Sequence, residues 1–135
     1  MKKTLILYLT ACLTVLSVFS QNTKFKGTMT VGDYTRKNVV IEVKEHGNKA
    51  DGTIYRAKFA RLMPIKVDAD IKNLNRTVQA DKIFLSGNNL IPYVKGQAKE
   101  KYMITGFNGV IHNGELSITT RFGEKKVTYK GKKIQ

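Results

Sequence analysis

The clearest strand signal in the chain lies in residues 109–130, which read GVIHNGELSITTRFGEKKVTYK. Every second residue in two parts of this stretch is apolar or small, namely Leu116, Ile118, Thr120 and Phe122, followed by Val127 and Tyr129. The residues between them are charged or carry hydroxyl groups. Because successive side chains of a strand point to opposite faces, this period of two predicts two strands, each with one buried and one solvated face.

Two turn sequences connect these strands to one another and to the strand before them. Asn113 and Gly114 follow His112 and supply a hairpin turn, because both residue types adopt positive φ at little cost. Gly123 and Glu124 separate the last two strands in the same way. Residues 109–130 therefore predict consecutive antiparallel strands joined by tight turns.

The same alternation extends over the rest of the chain after residue 20. It predicts strands at residues 24–31, 39–44, 55–59 and 65–72, and, in looser register, at 77–85, 90–95 and 100–111. Further turns are predicted at residues 32–33, 47–52 and 86–89. Gly106 and Gly109 inside the longest strand indicate a bulge or a bend. The fold class is therefore all-β, with eight to nine antiparallel strands in an up-and-down arrangement.

A single open sheet of this width would leave one apolar face exposed, so we expect the strands to close into a barrel. The phase of the alternation predicts which side chains point inside. These are Val39 and the candidate ligand-binding residues Ile41, Tyr55, Phe59, Ile71, Ile104, Phe122 and Tyr129. The phase does not assign an inward set for the strands between Thr77 and Lys95.

The first twenty residues have the pattern of a secretory signal peptide, which we expect to be helical. Lys2 and Lys3 precede an apolar run, and the run ends at Ser20 after small residues at the positions that a signal peptidase recognises. We therefore expect a signal peptide at residues 1–20, one domain at residues 21–135, and export to the periplasm or the extracellular space. The alternative is a lipid anchor at Cys12, which residues 9–12 (LTAC) would allow. The run is too short for a transmembrane helix.

Removing residues 1–20 from the 135-residue chain leaves 115 residues, and their composition limits the kinds of site and partner that are possible. Cys12 is the only cysteine, so the domain after residue 20 has neither a disulfide nor a thiolate site. Lys2 and Lys3 are two of the 24 basic residues, so 22 remain against 10 acidic residues. A balance this basic favours encounters with anionic partners. Five lysines crowd residues 125–133, which we interpret as a solvated and frayed terminus, with a polyanion site as the alternative.

Catalytic residues are poorly represented. His46 and His112 lie beside predicted turns without a neighbouring acid and nucleophile, and Ser86 and Ser117 do not lie in a nucleophile-elbow sequence. Asp68 and Asp70 share one strand face, but Lys66 and Lys72 flank them, so a charge-balanced wet face is a better interpretation than a calcium site. We therefore expect neither an enzyme nor a bound metal or cofactor.

Four short motifs carry a family resemblance: residues 25–29 (FKGTM), residues 63–67 (MPIKV) with 71–74 (IKNL), residues 109–116 (GVIHNGEL), and residues 129–131 (YKG). Over roughly residues 25–131, the chain resembles the calycin-like β-barrel proteins secreted by Bacteroidetes, a lipocalin-like family. The resemblance implies a calycin-type barrel and the binding of a small or lipid-like ligand.

Three functions remain open on the sequence. The first is a non-catalytic binding protein that holds a small apolar or amphipathic ligand in or at the mouth of the barrel. The second is a basic surface that binds an acidic polysaccharide, lipid headgroups or nucleic acid; specific nucleic-acid recognition is not expected, because the aromatic residues fall on the apolar face, opposite the lysines. The third is a purely structural barrel with a filled interior. The sequence does not predict the oligomeric state.

Overall fold

The computed structural model describes residues 21–57 and 67–134, and within these ranges the chain forms ten strands and one short 3-10 helix. The strands are β1 (Gln21–Val31), β2 (Tyr34–His46), β3 (Lys49–Ala57), β4 (Val67–Gln79), β5 (Lys82–Gly87), β6 (Tyr93–Val94), β7 (Gln97–Ala98), β8 (Ile104–His112), β9 (Glu115–Phe122) and β10 (Lys125–Lys133). The 3-10 helix, η1, spans Glu100–Tyr102. Among these residues, no helix has the length and apolar character needed to cross a membrane.

Eight of the strands close into an antiparallel barrel, which confirms the predicted fold class. Around the wall they follow the order β1-β2-β3-β4-β5-β8-β9-β10, and β10 pairs with β1 to complete the circle. Each strand thus has two hydrogen-bonded neighbours, and closure removes the exposed edges that an open sheet would have. β6 and β7 form a small hairpin beside the first half of β4.

Several predicted strand boundaries were wrong. The turn predicted at residues 47–52 contains only Gly47 and Asn48, and β3 begins at Lys49. The strand predicted at residues 77–85 is divided between β4 and β5 by a turn at Ala80 and Asp81. Ala80 adopts a φ of 55° there, and alanine, unlike the following Asp81, is not a turn former. The strand predicted at residues 90–95 is reduced to β6, and β8 begins only after η1, at Ile104.

The basic C-terminal segment is not frayed. Residues 125–133 form β10, which pairs with β9 on one side and with β1 on the other. Its lysines are exposed, as a solvated run should be, whereas Val127 and Tyr129 point into the barrel. The segment is therefore a wall strand that presents its lysines at fixed positions.

The barrel closes through a close contact between β1 and β10 at two opposed glycines, Gly27 and Gly131. A Cβ atom on Gly27 would overlap backbone atoms of Lys130 and Gly131, and one on Gly131 would overlap the ring of Tyr129. The hydroxyl of Tyr129 donates a 2.9 Å hydrogen bond to the carbonyl of Val39 on β2, the strand beyond β1. Burial raises the pKa of Tyr129 well above its usual value, because the phenolate would lose its hydration.

Candidate ligand-binding surfaces

The barrel interior is apolar and almost completely filled. Six of the predicted interior residues are buried in the core: Val39, Ile41, Ile71, Ile104, Phe122 and Tyr129. All except Val39 and Ile104 line a cavity of about 20 Å³, which has room for about one water molecule. Pockets for small organic ligands usually measure about 300–1,000 Å³. Among residues 21–57 and 67–134, the cavity enclosed by the strands therefore has no volume for such a ligand unless side chains move.

Tyr55 was wrongly predicted to point inside, and Phe59 lies outside the described residues. The pairing of β3 with β4 shifts between Ile54 and Ala57, where Arg56 adopts a φ of 54°. This bulge reverses the phase, so Ile54 fills the interior and Tyr55 lies outside. Its hydroxyl donates a hydrogen bond to the carboxylate of Glu42, and this bond, together with burial, raises the pKa of Tyr55 to about 12.

An ion pair lies at one mouth of the barrel. Nε of Arg76 lies 3.3 Å from Oε1 of Glu45, and the two side chains are only 14% and 3% exposed. Nη1 of Arg76 donates a 2.9 Å hydrogen bond to the carbonyl of Gly47. Both side chains line a pocket of about 120 Å³ whose apolar lining includes Phe25, Ile83 and Ile111. We name this feature the mouth pocket.

The sequence pattern predicts the inward position of only one member of this pair, Glu45. Glu45 has the same phase as Val43 on β2, so its inward position follows from the alternation. Arg76 has the opposite phase to Ile71 and reaches the interior because Asn73, at a φ of 64°, shifts the register of β4. An interior arginine was therefore not predictable from the period alone.

The outer surface of β1, β10 and β9 is basic, and we call it the basic face. Its outward residues are Lys24, Lys26, Thr28 and Thr30 on β1, Lys126, Thr128, Lys130 and Lys132 on β10, and Glu115, Ser117, Thr119 and Arg121 on β9. Six of them are cationic and only Glu115 is acidic. The remaining five are serine or threonine.

Cations on the basic face stand directly opposite one another. Lys26 on β1 is paired with Lys132 on β10, and Lys126 on β10 is paired with Arg121 on β9. Like charges at directly opposed positions destabilise a sheet. Glu115 offsets this only in part, because its carboxylate lies 3.9 Å from the ammonium of Lys130 and both side chains are exposed. An anion bound between these cations would remove the repulsion.

Two open depressions occur on this face. The first, about 400 Å³, is lined by Lys26, Thr28, Lys130, Lys132 and Glu115 around the glycine pair of β1 and β10. The second, about 360 Å³, is lined by Arg121, Lys126, Thr105, Thr119 and Thr120, of which Thr120 is buried and donates its hydroxyl to the carbonyl of Thr105. Both combine positive charge with hydroxyl groups, the chemistry that binds oxyanions.

The opposite side of the barrel, on β2, β3 and β4, has four outward acids, and these are engaged within the protein. Asp68 accepts a hydrogen bond from the backbone N–H of Arg56, and Asp70 accepts one from the hydroxyl of Thr53. Asp51 accepts one from the backbone N–H of Asn73. The same strands carry exposed lysines, so the predicted wet face of Asp68 and Asp70 mixes both signs of charge, whereas the basic face has six cations and one acid.

The histidines are held at the ends of strands. His46 lies 3.3 Å from Asp51 and His112 lies 3.5 Å from Asp81, each as a pair without a nucleophile. Within residues 21–57 and 67–134, no group of three or more histidine, cysteine, aspartate or glutamate side chains could hold a metal ion.

Comparisons with known proteins identify no relative. No family model matches this sequence, and neither a curated protein nor a solved structure matches it. The closed eight-stranded antiparallel barrel is consistent with a calycin-like fold.

Proposed function

We propose that this protein is a non-catalytic binding module that contacts anionic polymers through its basic face. The observation that carries the proposal is the placement of six cations on three neighbouring strands, with two pairs directly opposed across the strands. Such an arrangement costs folding energy and is relieved when an anion binds. The acids of β3 and β4, Asp51, Asp68 and Asp70, already accept hydrogen bonds on the other side of the barrel.

The salt dependence of binding to heparin, used as a model polyanion, tests this proposal. Each cation that contacts the polymer releases a counterion, so the logarithm of the affinity should fall linearly with the logarithm of the salt concentration. Replacing both Lys26 and Lys132 by glutamine should reduce the slope by about two, since each lost contact lowers it by about one. The same variant should unfold no more easily than the parent, because the replacement removes a repulsion.

A matched control loses the same two positive charges at positions outside the basic face. Lys44 and Lys82 are exposed and lie on β2 and β5, outside the basic face. Replacing both by glutamine should leave the slope unchanged. Heparin binding that is absent or indifferent to salt would refute the proposal, and equal slopes for the two variants would show that net charge acts without a defined face.

A second candidate function is the binding of a small amphipathic molecule at the mouth pocket. The observation that favours it is the combination of an apolar lining with Glu45, Arg76 and Lys133 in an open space of about 120 Å³, which is below the usual size of a ligand pocket and would hold only one end of such a molecule. The filled interior leaves this mouth, rather than the closed cavity of about 20 Å³, as the place for such a ligand. A lipocalin-like relationship would agree with this candidate.

We also propose that the chain is exported and that residues 1–20, which lie outside the described residues, are removed as a signal peptide. Native mass spectrometry of protein from its own host tests both this and the second candidate. We expect a chain that starts at Gln21 with a co-purifying small molecule. A diacylated chain that starts at Cys12 would overturn the export route, and a reproducibly empty protein would overturn the second candidate.

A further inference from the structure

We infer that the anionic partner of the basic face is a linear acidic polysaccharide, which binds across both depressions at once. This inference rests on the proposed function and adds the class of polymer. Three features of the basic face support it: the spacing of the two depressions along β10, the hydroxyl groups near them, and the scarcity of aromatic and apolar side chains.

The depressions lie at two levels along the same strand. Lys130 and Lys132 border the first, and Lys126 borders the second. Lys126 and Lys130 are four residues apart on β10, so their backbones are separated by about 13 Å at a rise of about 3.3 Å per residue. A polymer with acidic groups along its length can place one group in each depression.

Hydroxyl groups extend from the surface between the depressions into the second depression. Thr30 on β1 is paired with Thr128 on β10 between the depressions, and Thr128 is paired with Thr119 on β9, which lines the second depression. Each hydroxyl can donate and accept a hydrogen bond. These threonine hydroxyls can therefore pair with sugar hydroxyls, which also both donate and accept. The carboxylate of Glu115 can accept a hydrogen bond from a further sugar hydroxyl.

The basic face is poor in the side chains that stack on unpaired bases or enter a bilayer. Its twelve outward residues include no aromatic residue, and the ring of the neighbouring Tyr55 on β3 has the ammonium of Lys24 over it, 5.8 Å from the centroid. They also include no large apolar residue, and beyond their end only Ile134, beside Lys24, is exposed and apolar, which is little surface for entering a bilayer below the headgroups. A sugar polymer with carboxylate or sulfate groups needs only the cations and hydroxyls that this face presents.

A length series of heparin-derived oligosaccharides, measured by isothermal titration calorimetry, tests the inference. A disaccharide should engage one depression and bind weakly. Once the oligosaccharide spans both, the affinity should rise by at least about tenfold in one step, because the second contact becomes intramolecular. A gradual rise with length would overturn the inference.

Two variants test whether the step in affinity requires both depressions. Replacing Lys130 and Lys132 by glutamine disables the first depression, and replacing Lys126 and Arg121 by glutamine disables the second. Each should bind the hexasaccharide no better than the disaccharide. Because Arg121 also donates a 2.7 Å hydrogen bond to the carbonyl of Glu124, Lys126→Gln alone serves if the double variant unfolds. A step that survives in every folded variant would overturn the inference.

Competing polymers separate this inference from the proposed function. Phosphatidylglycerol vesicles and single-stranded DNA should bind more weakly than a heparin hexasaccharide at equal salt. If single-stranded DNA binds as tightly and depends on Lys26 and Lys132, the proposed function stands and the polysaccharide assignment fails. If the vesicles do so, both fail, because the partner is then a lipid surface and not a polymer. If no polyanion binds, both fail.

Discussion

Replacing Gly27 by alanine should destabilise the barrel by more than about 4 kcal/mol, enough to unfold a domain of ordinary stability. The new Cβ atom would overlap the carbonyl oxygen of Lys130 and the Cα of Gly131. Both are backbone atoms, so no side-chain rotation relieves the overlap. Relief requires that β1 and β10 separate, and this pair of strands closes the barrel.

Urea denaturation followed by circular dichroism measures the effect, and Gly52 provides the matched control. Gly52 is also a strand glycine, but a Cβ atom there would lie 3.9 Å from the nearest atom outside its chain neighbours, the carbonyl oxygen of Glu42. Gly52→Ala should therefore be neutral or stabilise by up to about 1 kcal/mol, since alanine loses less backbone entropy on folding. A Gly27→Ala protein with an unchanged denaturation midpoint would contradict the close approach of β1 and β10.

The fold was predictable because its main signal is local. Alternation over residues 115–130 fixes two strands and their buried faces, and the turn at Asn113 and Gly114 has the positive φ values that its sequence predicts, 51° and 74°. The errors arose where single residues other than glycine adopt positive φ. Arg56, Asn73 and Ala80 each do so, and at the first two the phase of the buried face changes. Composition carries no signal for such bulges.

The basic face required the topology as well as the sequence. The alternation predicts that Lys26 points outward, whereas Lys132 belongs to the segment that we interpreted as a solvated terminus, and the two residues are more than a hundred positions apart in the chain. They become neighbours only because the barrel closes through β1 and β10. The charge of the whole chain thus indicated an anionic partner, whereas the surface that would bind it followed from closure.

The filled interior could not be predicted from the pattern either. An eight-stranded barrel encloses a space that side chains can fill or leave open for one small ligand, and the choice depends on their packing. In this barrel Leu74, Leu85 and Phe107 join the predicted residues inside, and they leave only about 20 Å³. This volume is the reason that the proposed function lies on the outer surface.

Among the polar interactions of the described residues, breaking the ion pair between Glu45 and Arg76 should cost the most free energy of unfolding. Replacing Arg76 by methionine retains an apolar stem but removes the guanidinium, and the carboxylate of Glu45, 3% exposed, then lacks its cation. An uncompensated buried charge costs about 3–5 kcal/mol. Denaturant unfolding should therefore show a loss of this size.

The thermodynamic cycle with Glu45 identifies the cause of that loss. If the buried charge is responsible, replacing both Glu45 and Arg76 by methionine should restore the parental stability or exceed it, because an apolar pair of similar volume needs no desolvation of ions. Lys130→Met breaks the exposed pair with Glu115 and should cost less than about 1 kcal/mol. A double variant that is less stable than Arg76→Met alone would show instead that the polar groups of this pair, with the hydrogen bond from Arg76 to Gly47, are needed to close the mouth.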